Sequence, residues 1–253
     1  MPPPPAGWAV FPQRNPNARL RLFCFPYAGG GASIYAQWHR FLPPHVEVVS
    51  VQPPGRESRL MEKPFDDVLQ LAEAMHRELL PLFDRPFAFY GHSNGGLMAY
   101  ELARSLRRAG QALPLHLMVG GKPAPHLPPR DVPIHALPHD EFLDELRKLA
   151  GTPEEVLNNP EIMELLMPLL RADFALGETY RYQPEPPLPL PITAFGGLRD
   201  DEVTREDVEA WGEHTSAGFS CKMLPGNHFF INSDRQLLLT EVSRELHRLS
   251  ANG

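Results

Sequence analysis

The sequence predicts an α/β fold, a mostly parallel central sheet flanked by helices, with a helical insertion late in the chain. Three observations carry this. Apolar runs of strand length alternate with helically spaced apolar residues through the first half of the chain. One such run meets its helix through Phe87-Ala88-Phe89-Tyr90-Gly91-His92-Ser93-Asn94-Gly95-Gly96, a sharp turn with the pattern Gly-x-Ser-x-Gly. The alternation breaks after Lys122: a Pro-rich loop runs to about Pro138, and His139 to Gly177 reads as helix with no strand between.

Composition sets the limits. The chain of 253 residues is long enough for one large domain and short for two. Its net charge of −7 is spread over both signs, and no Lys/Arg run can track a phosphate backbone, which argues against nucleic acid. The two cysteines, Cys24 and Cys221, sit in strand-like runs, as buried free thiols do. Met1 to Gly7 has no basic or apolar signal region, and no apolar stretch is long enough to span a bilayer. A cytoplasmic monomer with no membrane partner is expected. Residues 1–18, rich in Pro and Asn, are expected to form a flexible or edge-hugging arm, followed by a single domain over 19–253.

The elements follow in order. Arg19 to Phe25 becomes continuously apolar, as a strand entering the middle of a parallel sheet does. It runs into the Gly-rich turn Pro26-Tyr27-Ala28-Gly29-Gly30-Gly31, then a helical segment through Trp38 to Leu42. A phosphate cradle would need Gly-x-Gly-x-x-Gly or Gly-Lys-[Ser/Thr], and neither is present. Glu47 to Gln52 is the next strand, ending near Arg56, whose expected role is a structural salt bridge. Val68, Leu71, Ala72, Met75, Leu79 and Leu82 mark a helix over 66–83 that packs on the sheet. The helix after the turn ends at Gly110. Leu115 to Gly121 is a strand, and Asp140 to Leu149 and Pro160 to Leu176 are helices of an insertion at about 122–185, placed to act as a lid over a site. Pro191 to Gly197 and Ser220 to Leu224 return to the sheet before a terminal helix near 233–249.

The turn at Ser93 carries the chemistry. Gly91 and Gly95 are small because a Cβ there would strike the neighbouring strand and helix, and Ser93 is held strained with its hydroxyl at the C-terminal sheet edge. Acyl transfer needs two backbone N–H donors for the oxyanion, and Asn94 and Ala28 occupy the two expected places. A carboxylate in the loop Leu198-Arg199-Asp200-Asp201-Glu202 would orient an imidazole; Asp200 is the choice and Asp201 the alternative. His228, after the last strand, is the histidine at the expected place, while His92 is expected to turn away and pack. His135 and His139 are four apart, but Pro138 opposes a helix there and no metal is expected.

Together these stretches resemble the type II thioesterases that accompany polyketide and nonribosomal peptide synthases. The resemblance rests on Phe25-Pro26-Tyr27-Ala28-Gly29-Gly30, Gln52-Pro53-Pro54-Gly55-Arg56, Gly91 to Gly96, Leu169-Leu170-Arg171-Ala172-Asp173-Phe174 and Leu224-Pro225-Gly226-Asn227-His228-Phe229-Phe230. It implies an α/β-hydrolase fold with a helical lid, a triad of Ser93, Asp200 and His228, and an oxyanion hole from the amides of Ala28 and Asn94. It also implies an acyl or peptidyl thioester carried on the phosphopantetheine of a carrier-protein partner, and no cofactor of the enzyme's own. Two positions depart from the family pattern: Asn94 stands where Met is usual, and Asp200-Asp201 where Asp-Pro is usual. Product-releasing thioesterase or acyltransferase activity, a carboxylesterase, and a non-catalytic carrier-binding protein are the alternatives.

Overall fold

In the computed structural model, which describes residues 7–130, 132–149 and 151–251, the strands form one sheet. They are β1 (Ala9–Val10), β2 (Leu20–Phe25), β3 (Val46–Val51), β4 (Phe87–His92), β5 (Leu117–Gly120), β6 (Ile192–Gly197) and β7 (Phe219–Leu224), in the order β1-β3-β2-β4-β5-β6-β7. β1 is antiparallel to β3 and every other pairing is parallel. From Trp8 onward the expected arm hugs the sheet edge: Trp8 is buried, and its carbonyl accepts from Gln52 N–H at 2.9 Å. The first six positions of that arm lie outside the described residues.

Alternation along the inner strands feeds two cores. Phe23, Phe25, Phe87 and Phe89 face one side with α1 (Val68–Leu79) and α2 (Asn94–Arg108). Leu22, Cys24, Ala88 and Tyr90 face the other, with Tyr35, Trp38 and the terminal helix residues Leu238, Val242 and Leu246. Both faces are therefore covered, which is why β2, β3 and β4 are buried along their whole length. Asp67 caps α1, accepting from Leu69 N–H and Gln70 N–H, and all six apolar positions read from its periodicity are buried. The helical segment expected through Leu42 is instead two 3₁₀ turns, Ala32–Tyr35 and Trp38–Arg40. The tighter winding keeps Tyr35 and Trp38, three residues apart, on one side, where their rings meet edge-on at 4.9 Å.

The insertion contains α3 (His139–Leu149), α4 (Glu154–Leu157) and α5 (Pro160–Glu178). Phe142, Leu146, Leu157, Met163 and Leu170 give it a small core of its own. Pro168 is tolerated inside α5 because it and Glu164, whose carbonyl loses its partner, are both solvent-exposed. Short α6 (Arg205–Glu209) and α7 (Phe230–Ser233) precede α8 (Arg235–Ala251). Among the described residues no helix is long and apolar enough to cross a membrane.

β2 and β4 are neighbours although β3 lies between them in sequence, so their carboxyl ends form a switch point where the chain leaves in opposite directions. There the turn from β4 to α2 is very tight. A Cβ on Gly91 would lie 2.0 Å from Gly95 O, and one on Gly95 would lie 2.1 Å from Phe25 O. Because both obstacles are backbone, Gly95→Ala should destabilise the protein by about 3 kcal/mol or more in urea unfolding; a cost under about 1 kcal/mol would show that the turn can spread.

Three imidazoles are locked into the interior. His116 Nε2 bonds Thr193 Oγ1 at 2.9 Å, and His214 bonds Tyr100 OH at 2.8 Å and His126 at 2.7 Å. Burial pushes His116 and His214 down to about 4 and His92 down to about 3. In the unfolded chain all three take up protons near pH 6.5, so the folded state binds fewer protons below that pH. Their contribution is fully present above pH 6.5 and is lost as pH falls toward 4. Urea midpoints should stay nearly level from pH 7.5 to about 6.5 and then drop toward pH 5; a flat profile between pH 6.5 and 5 would refute this assignment.

Candidate active site

Ser93 occupies the turn with φ 52° and ψ −121°, and is one of the two non-glycine residues at positive φ among those described. Its N–H donates to Gly120 O at 2.7 Å, which ties the turn to the end of β5. Its side chain makes no capping bond to α2 and has no hydrogen-bond partner among the described residues. It is partly accessible at the sheet edge. Asn94 begins α2, where an amide has no carbonyl one turn back, so its N–H is free to point at a ligand.

The loop after β2 approaches from the neighbouring strand. Within it, Gly30 N–H donates to Tyr27 O at 2.9 Å and Gly29 N–H donates to Asp173 Oδ2 at 2.7 Å. The amides of Gly29 and Gly30 are thus committed, whereas that of Ala28 has no hydrogen-bond partner among the described residues.

From the other side come the loops after β6 and β7. His228 Nδ1 lies 3.0 Å from Asp200 Oδ2, and the Asp200 side chain is fully buried. The other Asp200 oxygen accepts from Glu202 N–H at 2.9 Å and Val203 N–H at 3.1 Å. Burial raises the Asp200 pKa, but the bonds from His228, Glu202 and Val203 outweigh it and leave it below the usual carboxylate range. Asp201 is exposed. The two loops brace each other: Leu198 N–H donates to Leu224 O at 2.7 Å and Arg199 N–H to Gly226 O at 3.0 Å.

His92 is buried as expected, but it also does something the sequence did not reveal. Its Nε2 lies 2.8 Å from His228 O, and since a carbonyl only accepts, that nitrogen carries the proton. Its rings stack edge-on with Phe230 at 4.8 Å and Tyr27 at 6.0 Å. Gly121 lies between the two histidines: a Cβ there would be 3.1 Å from His92 Nε2 and 3.5 Å from His228 Cε1. Since Gly120 holds the Ser93 amide, the His228 ring and Ser93 share one end of β5.

Arg56, expected in a structural salt bridge, makes one with a partner the sequence did not indicate. Its Nη2 donates to Asp173 Oδ1 at 2.8 Å and its Nη1 to Asp173 Oδ2 at 3.2 Å, both side chains being buried. Nη1 also donates to Gly30 O at 3.0 Å. The Asn94 side chain, polar where Met is usual, donates to Asp173 O at 2.6 Å and accepts from Lys122 Nζ at 3.1 Å. Enclosure pushes the Lys122 amine down to about 8. The sequence signals for this network were an arginine in the loop after β3 and the stretches ending at Arg56 and containing Asp173, which carry the resemblance but assign Asp173 no role.

Known proteins carry the same arrangement of chain. Residues 20–249 match the thioesterase domain family. The gramicidin S biosynthesis protein GrsT of Aneurinibacillus migulanus is 45% identical over 244 residues, covering 96% of this chain and 95% of that one. The thioesterase RedJ from the prodiginine biosynthetic pathway of Streptomyces coelicolor is 42% identical and superposes with a TM-score of 0.84 over 90% of this chain and 86% of that one. The type II thioesterase BorB from the borrelidin biosynthetic cluster is 37% identical, with a TM-score of 0.85 over 94% and 97% of the two chains. The chain therefore belongs to the thioesterase domain family, as a thioester hydrolase of the α/β-hydrolase fold akin to the type II thioesterases of polyketide and nonribosomal peptide pathways.

Proposed function

We propose that this enzyme hydrolyses acyl, aminoacyl or peptidyl thioesters from the phosphopantetheine arms of carrier proteins, clearing stalled or misprimed groups, with Ser93, His228 and Asp200 as its triad. The observation that carries this is the pairing of His228 with a buried Asp200 at the sheet edge that also presents a serine held at φ 52° whose hydroxyl has no hydrogen-bond partner among the described residues. Relatives named for thioesterase and peptide-antibiotic pathways support the choice of a carrier-bound substrate.

In the first half-reaction His228 takes the Ser93 proton as Oγ attacks the thioester carbonyl. The oxyanion is held by the amides of Ala28 and Asn94. Collapse breaks the C–S bond, and the pantetheine sulfur leaves with the proton from His228 as a free thiol. In the second half-reaction His228 deprotonates a water that attacks the acyl-Ser93 ester, then returns that proton to Ser93 Oγ as the free acid departs. Asp200 accepts from His228 Nδ1–H throughout, fixing the tautomer and stabilising the imidazolium. The helices between about 122 and 185 serve as the lid, with Leu170 of α5 against the oxyanion loop: a methyl on Gly29 would come within 3.0 Å of Leu170 Cδ2. No cofactor is needed, since every group in the scheme is a side chain or amide of the chain.

The deciding experiment is intact-mass spectrometry of carrier proteins loaded with acetyl, medium-chain and aminoacyl groups, before and after exposure to the enzyme. Loss of the acyl mass with release of free acid supports the reading. Survival of every load alongside cleavage of a simple oxygen ester would replace it with a carboxylesterase, and a conjugate in place of the free acid would make the enzyme an acyltransferase. Ser93→Ala should abolish deacylation. Asp200→Asn should lower kcat by about 10⁴-fold, whereas Asp201→Asn should leave kcat within about twofold; the reverse ranking would transfer the role to Asp201.

A further inference from the structure

The oxyanion loop cannot hold itself. Pro26, Tyr27, Ala28, Gly29 and Gly30 offer no polar side chain that bonds within the loop, and its two glycines leave the backbone loose. Beyond one internal bond, Gly30 N–H to Tyr27 O, its shape is set from outside by Asp173 of the insertion together with Arg56. We infer that Asp173, presented by α5, is a positioning residue for catalysis: with Arg56 it aims the Ala28 amide at the oxyanion, and through its main chain it fixes Asn94, the second donor. This rests on the reading of Ala28 and Asn94 as the oxyanion donors.

The chain of contacts is short. Asp173 Oδ2 accepts from Gly29 N–H at 2.7 Å, and Arg56 Nη1 bridges Asp173 Oδ2 at 3.2 Å and Gly30 O at 3.0 Å. The Ala28–Gly29 peptide is therefore gripped at its N–H and the Gly30–Gly31 peptide at its carbonyl. Gly30 N–H in turn holds Tyr27 O at 2.9 Å. Tyr27 C=O and Ala28 N–H belong to one planar trans peptide and point in opposite directions. Pulling that carbonyl toward Gly30 turns the Ala28 N–H outward, to the side where the turn at Ser93 approaches.

The same residue reaches the other donor. Asp173 O accepts from Asn94 Nδ2 at 2.6 Å, and Asn94 Oδ1 accepts from Lys122 Nζ at 3.1 Å, so the first residue of α2 is anchored to α5 and to the loop after β5. Asp173 and Arg56 are 0% and 3% exposed, which excludes a merely solvent-facing pair. It follows that the C-terminal half of α5, buried at Leu169, Leu170, Ala172, Ala175 and Leu176, cannot swing away without dismantling the oxyanion hole. Any opening of the insertion therefore leaves the C-terminal half of α5 in place.

The test compares wild type with Asp173→Asn, which keeps the shape and removes the charge. Arg56→Met/Asp173→Leu replaces the pair with apolar side chains should the single variant not fold. Each is assayed at a temperature where circular dichroism shows it folded. Two quantities are read: kcat and KM on an acyl-N-acetylcysteamine thioester, and the affinity of a trifluoromethyl ketone that adds to Ser93 as a tetrahedral oxyanion. The expected result is a fall in kcat of about 10²- to 10³-fold with KM within about threefold, and a parallel loss of ketone affinity. A folded variant that keeps kcat and ketone affinity within about threefold of wild type would reduce Asp173 to a structural residue and overturn the inference. A wild type inert toward the thioester would overturn the function proposed above, and the inference with it, which is a separate outcome from the first.

Discussion

The backbone of Ser93, at φ 52° and ψ −121°, lies where an L-residue rests poorly, and holding it there costs about 1–3 kcal/mol. The surrounding structure is arranged so that no easier conformation is available. Gly120 O captures the Ser93 amide, Gly96 N–H returns to Ser93 O at 2.9 Å, and α2 is buried along most of its length against the sheet. Rotating the serine out of strain would tear α2 from β2 and β5, a loss of apolar burial far larger than the strain relieved. The exposed hydroxyl is thus a consequence of core packing on the far side of the turn.

The polar network around this turn answers a different need. A buried ion pair such as Arg56–Asp173 contributes little net stability, because desolvation offsets its attraction. Its value is geometric, since each remaining bond made by the two side chains lands on a backbone group, Gly29 N–H, Gly30 O or Pro54 O, while the Asp173 carbonyl separately holds the Asn94 side-chain amide. Apolar side chains of equal volume would fill the space but leave those groups without direction. The strands place the loop near the serine, and the charges orient it.

Much of this was legible in the sequence because it depends on local pattern. The spaced apolar positions Val68, Leu71, Ala72, Met75 and Leu79 of α1, with Leu82 in the 3₁₀ turn that follows, announce a buried helix face, and Phe87 to Ser93 announces strand and turn, since period and residue size are properties of adjacent residues. β1 escaped notice because two residues between prolines show no period. Asp200 and Asp201 could not be separated by type or spacing. What separates them is that the amides of Glu202 and Val203 fold back onto one and leave the other in solvent. Asp173 was quoted for resemblance without a role, as its partners lie 117 and 144 residues away and only the sheet order brings them together.

Two imidazoles stand 5.6 Å apart at this edge, and their environments assign them different work. His92 is enclosed by Tyr90, Phe230 and the glycines ending β5, with no carboxylate bonded to it, so burial and the neighbouring His228 keep it neutral. In that state its single N–H is committed to His228 O. His228 has Asp200 on Nδ1, a carboxylate kept ionised despite burial by the bonds it accepts. A charge arriving on His228 is therefore met by a directly bonded carboxylate, whereas for His92 the weak pull of Asp200 is outweighed by burial and the neighbouring His228. In the proposed mechanism the pair would separate proton transfer from support: the His228 ring would cycle while His92, barred from charging, spends its only proton on the His228 carbonyl.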